Sequence, residues 1–345
     1  MDARVLQDAS GAAMNDVGSS GMIDGRKDDV GADCAGLAVV ILTYNEALHI
    51  ERCIRSAQRV AGEVLVVDSY STDDTVARAR QLGARVLQNP WVNHASQMNW
   101  ALQNGGVGSA WVMRLDADEF LDEALVAALG STLAASGDEV GGFEINRRIR
   151  FMGREIRHGG MAPLWVTRIW RNGRARCEAR WMDEHMVLSA GRVSRLPGAI
   201  VDDNLNSLTW WTQKHNLYAN REAVDLLDRR YRLGLADETR AGLNRQARLK
   251  RWLKTRVYAR LPLGARPWLY FFYRAVLRLG ILDGARGMTF HTLQGLWYRL
   301  LVDAKVAEVE RAMREDGDEL REAVRRVLGI ELDTPRAQAP RSVRS

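Results

Sequence analysis

Cysteine is scarce in this chain: three in 345 residues, Cys34, Cys53 and Cys177, with no CxxC pair. That excludes a disulfide scaffold and a zinc knuckle, and it fits a reducing compartment. Long apolar runs are also missing. Residues 268–290 come nearest, and Arg274, Arg278, Asp283 and Arg286 interrupt them, whereas a membrane span needs about 20 apolar residues in a row. No apolar h-region marks a secretory signal, and residues 1–36, rich in Gly, Ala, Asp and Ser, are expected to form a disordered leader. There is no internal repeat. Nor does a GxGxxG open a helix. Gly105-Gly106-Val107-Gly108 has the wrong spacing and precedes an apolar run, which argues against a dinucleotide oxidoreductase.

What is present is an ordinary globular composition, 46% hydrophobic with a net charge of +6, in a chain long enough for one large domain or two. Residues 37–42 (LAVVIL) suit a strand buried on both faces. Thr43 to Glu46 follow as a loop, and the apolar side of 47–59 predicts a helix. Residues 63–67 form a second strand ending in Asp68. A helix over 75–82 is capped by Thr72 or Asp73 and stops at Gly83. Strand 84–87, helix 97–102 and strand 110–115 continue the alternation. That order predicts an α/β fold, a mostly parallel sheet with helices on both faces. Beyond residue 142, segments 143–151, 164–170 and 192–196 extend it as a mixed sheet. From Ser207 onward the chain is expected to be helical. The expected divisions are a sheet domain over 37–205, a basic, aromatic-rich helical region over 206–330, and a flexible tail over 331–345.

Sheets of this kind bind ligands beyond the C-terminal ends of their strands. Thr43 to Glu46, Asp68, and Asp116 with Asp118 fall at three such ends. Spaced i, i+2 at the end of a strand, Asp116 and Asp118 are expected to point to one face. Two carboxylates so placed repel each other unless a cation sits between them, and hard oxygen donors in small number suit Mg²⁺ or Mn²⁺. An acidic surface turn gives the same pattern; the coincidence of three strand ends favours a site. Asp68 could accept from a uracil imide N–H, while Thr43, Tyr44, Asn45 and Glu46 cup the base or ribose. A metal on Asp118 and Asp116 would neutralise a diphosphate and ease its departure. Asp183 and Glu184, in an acidic stretch beyond the sheet, are candidate bases for an incoming hydroxyl, although a solvated turn would look the same. His185 is expected to be structural.

In this order and spacing, VVILTYNE (39–46), VLVVDSYSTDDT (64–75) and LDADEF (115–120) resemble the family 2 inverting glycosyltransferases of the GT-A fold. The resemblance covers about 37–205. More narrowly, NPWVNHASQMNWAL (89–102), residues 211–219 and residues 266–305 resemble bacterial enzymes that glycosylate the lipopolysaccharide core or a related surface glycan. The resemblance implies a nucleotide-sugar donor, often a UDP-sugar, a glycan or lipid-linked acceptor, a divalent metal, and one in-line displacement with inversion. It makes Asp68 the base contact, adds Gln97 to the nucleotide group, and makes Asp116 and Asp118 the DxD pair with Asp118 the usual metal ligand. Many relatives carry His-Glu where this chain has Asp183-Glu184, which favours Glu184 as the base. A nucleotidyltransferase would carry a Gly-rich basic loop after the first strand, and a haloacid-dehalogenase-like phosphatase would carry its DxD there. Neither fits.

Between residues 240 and 300 bases outnumber acids by about a dozen to one. Arg245, Arg248, Lys250, Arg251, Lys254, Arg256 and Arg260 are interleaved with aromatics such as Trp252, Tyr258, Trp268 and Phe272. Such helices suit an anionic bilayer surface. Nucleic acid is the competing partner, disfavoured by the acidic site, and plain core packing is a third reading. The expected place is cytoplasmic, peripheral on the inner face of the bacterial cytoplasmic membrane. The alternative to an enzyme is a membrane-surface scaffold on a catalytically degenerate transferase fold.

Overall fold

Strand β1 (Leu37–Thr43) carries no charge and only aliphatic side chains in its first six residues, so it can be buried on both faces. A computed structural model, describing residues 36–178, 185–232 and 263–332, places it inside a sheet. Around it, in chain order, are α1 (Ile50–Gln58), β2 (Glu63–Asp68), α2 (Thr75–Gln81), β3 (Arg85–Gln88), α3 (His94–Asn104) and β4 (Trp111–Asp116). The remaining elements up to residue 203 are β5 (Glu119–Leu121), α4 (Glu123–Ala134), β6 (Val140–Phe151), β7 (Arg154–Ile156), β8 (Trp165–Arg171), β9 (Ala175–Cys177), β10 (Met186–Leu188) and β11 (Arg192–Asp203).

The sheet runs in the order β3-β2-β1-β4-β8-β6-β11-β5, with β7 on β6. Its first four strands are parallel. β8 then runs antiparallel between β4 and β6, while β11 lies parallel to β6. The sheet is therefore parallel where the βα alternation predicts it and mixed beyond. Side chains of β1 alternate between two cores. Val39 and Ile41 meet Ile50, Cys53 and Ile54 of α1 and Leu125 and Leu129 of α4. Val40 meets Ala95, Met98 and Ala101 of α3 on the opposite face.

Helix α3 and strand β11 differ from the sequence expectation for identifiable reasons. Helix α3 starts at His94 rather than at 97, because the Asn93 side chain accepts from the Ser96 amide at 2.8 Å and caps the helix there. Strand β11 runs to Asp203 rather than stopping at 196. A register irregularity between Arg195 and Ala199 absorbs Pro197 and Gly198, and pairing with β6 resumes beyond it.

A helical layer follows: α5 (Leu208–Tyr231), α6 (Ala265–Phe272) continued by a π turn (Tyr273–Leu277), a 3₁₀ turn (Gly280–Asp283), α7 (Gly284–Phe290) running into a π stretch (His291–Trp297), α8 (Tyr298–Glu315) and α9 (Leu320–Leu328). Val224 and Leu227 of α5 pack on Val306 and Val309 of α8 and Val324 and Leu328 of α9. The layer joins the sheet through Phe151 and Ile156, which pack on Phe290, Trp211 and Leu293. Residues 245–260, with their run of bases, lie outside the described residues.

Two buried polar contacts in this layer give measurable expectations. Arg266 and Asp303 form an ion pair with side chains only 4% and 5% exposed. Asp303→Ala strips a buried guanidinium of its carboxylate, and such losses cost about 3–5 kcal/mol. Urea unfolding should show that drop, and Arg266→Met combined with Asp303→Leu should cost less than the single change. His215 stacks on Trp211, with ring centroids 3.5 Å apart, and its Nδ1 lies 2.9 Å from the Trp211 carbonyl oxygen. Burial, aided by the charge of Lys214, lowers its pKa from 6.5 to about 4. The folded state therefore holds fewer protons than the unfolded one between these values. The stability this supplies is complete above pH 6.5 and is lost as pH falls towards 4. His215→Gln should flatten the pH dependence of the unfolding midpoint in that window.

Candidate active site

Four parallel strands end in Thr43, Asp68, Gln88 and Asp116, so these polar groups share one sheet edge. Asp68 is fully buried. One of its oxygens accepts from the Thr43 hydroxyl at 3.1 Å and from the Ser71 hydroxyl; the other accepts from the Ser71 amide at 2.9 Å and Gln88 Nε2 at 3.1 Å. A base N–H reaches this carboxylate only if Ser71 or Gln88 gives way.

The loop after β1 is fastened to the loop after β2. Asn45 adopts a left-handed φ of 53°, which Asn tolerates better than most residues. Its amide donates to Ser71 Oγ, and its side-chain oxygen accepts from the Thr72 amide, both at 2.8 Å. The Glu46 amide donates to Thr75 Oγ1 at 2.8 Å, and Asp73 accepts from the Thr75 amide at 3.0 Å. His49 accepts from the Leu205 amide through Nε2 at 2.8 Å. Its proton then lies on Nδ1, which donates to Glu46 at 2.6 Å. Tyr44 is half-buried in the same loop. Gln97 is buried, donating to Ser69 Oγ at 3.1 Å and the Asn89 carbonyl at 3.0 Å while accepting from Asn89 Nδ2 at 2.6 Å. The side chains of Asp68, Asn45 and Gln97 are thus committed to contacts within these loops.

The two aspartates are not equivalent. Asp118 does not sit on the strand: β4 ends at Asp116, and Ala117 and Asp118 turn the chain into β5. The same-face expectation for an uninterrupted strand therefore does not hold, because a three-residue strand folds back two residues later. Asp116 is gripped by Arg114, at 3.1 and 3.3 Å, and by Arg168 at 3.2 Å. Burial alone would raise its pKa, but Arg114 and Arg168 outweigh burial and hold the carboxyl well below the usual range. Asp118 Oδ2 accepts from Asn204 Nδ2 at 3.0 Å, while Oδ1 has no partner among the described residues. Both ring nitrogens of His94 are buried without a hydrogen bond, with Nε2 3.9 Å from Asp116.

Several residues here escaped the sequence reading. Glu119, fully buried, accepts from the Asp116 amide at 3.0 Å, Arg147 at 3.0 Å and Arg168 at 2.6 Å. Burial pushes its pKa up to about 7 against the pull of Arg168. Arg147 also holds Asp202 at 2.6 Å, and Arg52 holds Asp203 at 3.0 Å and the Asp118 carbonyl at 3.2 Å. Lys214 of α5 is held in its charged form: burial would lower its pKa, but Tyr218, Asp118, Glu46 and Asp202 together raise it. One signal was available, since Arg114 and Arg168 are charged residues in the interior of largely apolar strands. Asp183 and Glu184 lie outside the described residues.

Among the described residues, no three His, Cys, Asp or Glu side chains converge into a metal cage. A small divalent ion that keeps its waters and shares substrate phosphates needs only one or two carboxylates. Asp118, with a free oxygen, fits that requirement. Asp116, with both oxygens on guanidiniums, fits it less well.

Residues 38–195 match the family described as Glycosyl transferase family 2. The chain is 32% identical over 162 residues to the lipopolysaccharide core biosynthesis glycosyltransferase LpsC of Rhizobium meliloti, covering 46% of this chain and 58% of that one. It is 44% identical over 89 residues to an uncharacterized glycosyltransferase of Rickettsia felis, covering 26% of this chain and 31% of the relative. The matched stretch thus spans less than two thirds of either relative's length. Among solved structures it is similar to glucosyl-3-phosphoglycerate synthase of Mycobacterium tuberculosis, crystallised with Mn²⁺, UDP and product. That likeness has 18% identity and a TM-score of 0.39, covering 63% of this chain and 88% of the other.

Proposed function

We propose, from the match of residues 38–195 to glycosyl transferase family 2, that the chain belongs to that family and transfers a sugar, with inversion, from a UDP-sugar to a hydroxyl of a lipopolysaccharide core or related cell-surface acceptor. The observation that carries this reading is Asp118 beyond the end of β4, with an uncommitted carboxylate oxygen, in the electrostatic reach of the Lys214 ammonium, which lies over the Trp210 ring at 4.4 Å. A diphosphate needs both: a metal ligand on one side and a positive charge on the other.

Asp118 would hold Mg²⁺ or Mn²⁺, with Asp116 beside it; when bound, the ion supplies charge neutralisation for the departing diphosphate. Lys214 would meet the same phosphates through space. The loop of Thr43 to Glu46, braced by Ser71 and Thr75, would cup the nucleoside, with Asp68 and Gln97 behind it. Glu184, or failing it Asp183, would accept the acceptor's hydroxyl proton as that oxygen bonds to the anomeric carbon. The carbon–oxygen bond to UDP breaks on the opposite face, which inverts the centre. The LpsC relative supports a lipopolysaccharide-type acceptor.

A thermal-shift series with UDP, GDP and dTDP, each with and without Mn²⁺, tests the donor site. UDP with Mn²⁺ should raise the unfolding midpoint most. Saturation at about 100 times Kd corresponds to about 2.7 kcal/mol of added stability. A larger shift with GDP or dTDP would reassign the base, and no shift with any of them would remove the transferase reading.

A further inference from the structure

We infer that the turn spanning residues 268–282 is a wedge that enters the surface of an anionic lipid bilayer beside the active-site edge. Trp268, Leu269, Phe272, Tyr273, Val276 and Leu277 are all exposed, Leu277 by 64%. They recur at steps of four along α6 and its π continuation, so they form one face. Ile281, 61% exposed, and Leu282 extend the apolar surface past the end of the helix. Soluble monomers rarely expose a contiguous apolar patch of more than a few hundred Å².

The wedge is built rather than frayed. Asp283, at its foot, accepts from the backbone amides of Arg157 and His158 at 3.1 Å, from His158 Nδ1 at 2.7 Å and from His291 Nε2 at 3.0 Å. The buried Arg274 donates to His291 Nδ1 at 2.9 Å. These contacts fix the turn on the loop that leads into β8. Strand β8 runs antiparallel to β4, so this loop opens on the edge where β4 ends in Asp116. Arg168 of β8 reaches Asp116 across that edge.

Charge selects the occupant. In sequence, residues 240–282 contain eleven bases and no acid, eight of the bases lying outside the described residues. Exposed Arg278 lies within the apolar face and Arg286 just beyond it. An apolar face carrying Trp and Tyr, with exposed arginines within it and beside it, matches the headgroup region of an anionic leaflet. No helix among the described residues is long and apolar enough to cross a membrane.

Vesicle flotation of the full chain tests this, using phosphatidylcholine alone and phosphatidylcholine with phosphatidylglycerol. The wild type should float with the anionic vesicles and much less with the neutral ones. Leu277→Asp with Ile281→Asp should weaken partition about a hundredfold, since two apolar anchors are lost. The UDP-induced thermal shift should persist and so report an intact fold. Val193→Asp, an exposed apolar site on β11, should leave flotation unchanged. Three results would overturn the wedge: no flotation with anionic vesicles, undiminished flotation of the double variant, or a wild-type dimer that the double variant splits while neither binds lipid. Failure of UDP binding would remove the donor-site reading and leave flotation as it is.

Discussion

Asp118→Asn should lower sugar transfer by about a thousandfold while the protein keeps nearly its full stability. Loss of one preorganised charge-stabilising group typically costs about 10²–10³ in kcat, and Asp118 would hold the ion that neutralises the diphosphate. The substitution is nearly isosteric, and Asn at 118 can still accept from Asn204 through its amide oxygen. Asp116→Asn differs because it removes the carboxylate from Arg114 and Arg168 together. It should lower stability and transfer at once. Manganese titration of UDP-sugar turnover, run beside urea unfolding of both variants, separates the two effects. Metal-dependent turnover that survives in Asp118→Asn would take the ligand role away from this residue.

Glu184→Gln should cut kcat by about 10²–10⁴, the usual worth of a general base. UDP binding should be unaffected, because a base for the acceptor hydroxyl would not touch the nucleotide. The acidic limb of the pH–rate profile should go with it, whereas Asp183→Asn should keep that limb and most of the rate. A reversed ranking would assign the base to Asp183. A mild effect from both would place the proton acceptor elsewhere.

The sheet edge was legible because its causes are local. Residues 39–41 and 64–67 are short apolar runs rich in Val that end in polar groups, and alternation with helices fixes which ends lie together. The position of Asp118 was not legible, since β5 has three residues and no period to detect. The arginine lattice was hidden for another reason. Arg147 and Glu119 are 28 residues apart, and Arg168 and Asp116 are 52 apart. Only the antiparallel insertion of β8 between β4 and β6 brings Arg168 to that edge. Lys214 is similarly remote, on a helix whose docking no local pattern announces.

The aromatic contact between Phe151 of β6 and Phe290, with Trp211 beside them, has a practical consequence. A recombinant fragment cut at residue 205 would leave Phe151 and Ile156 facing water and would strip His158 of Asp283. Such a fragment should aggregate on expression, so a crystallographer seeking a minimal fragment must carry the roof along with the floor.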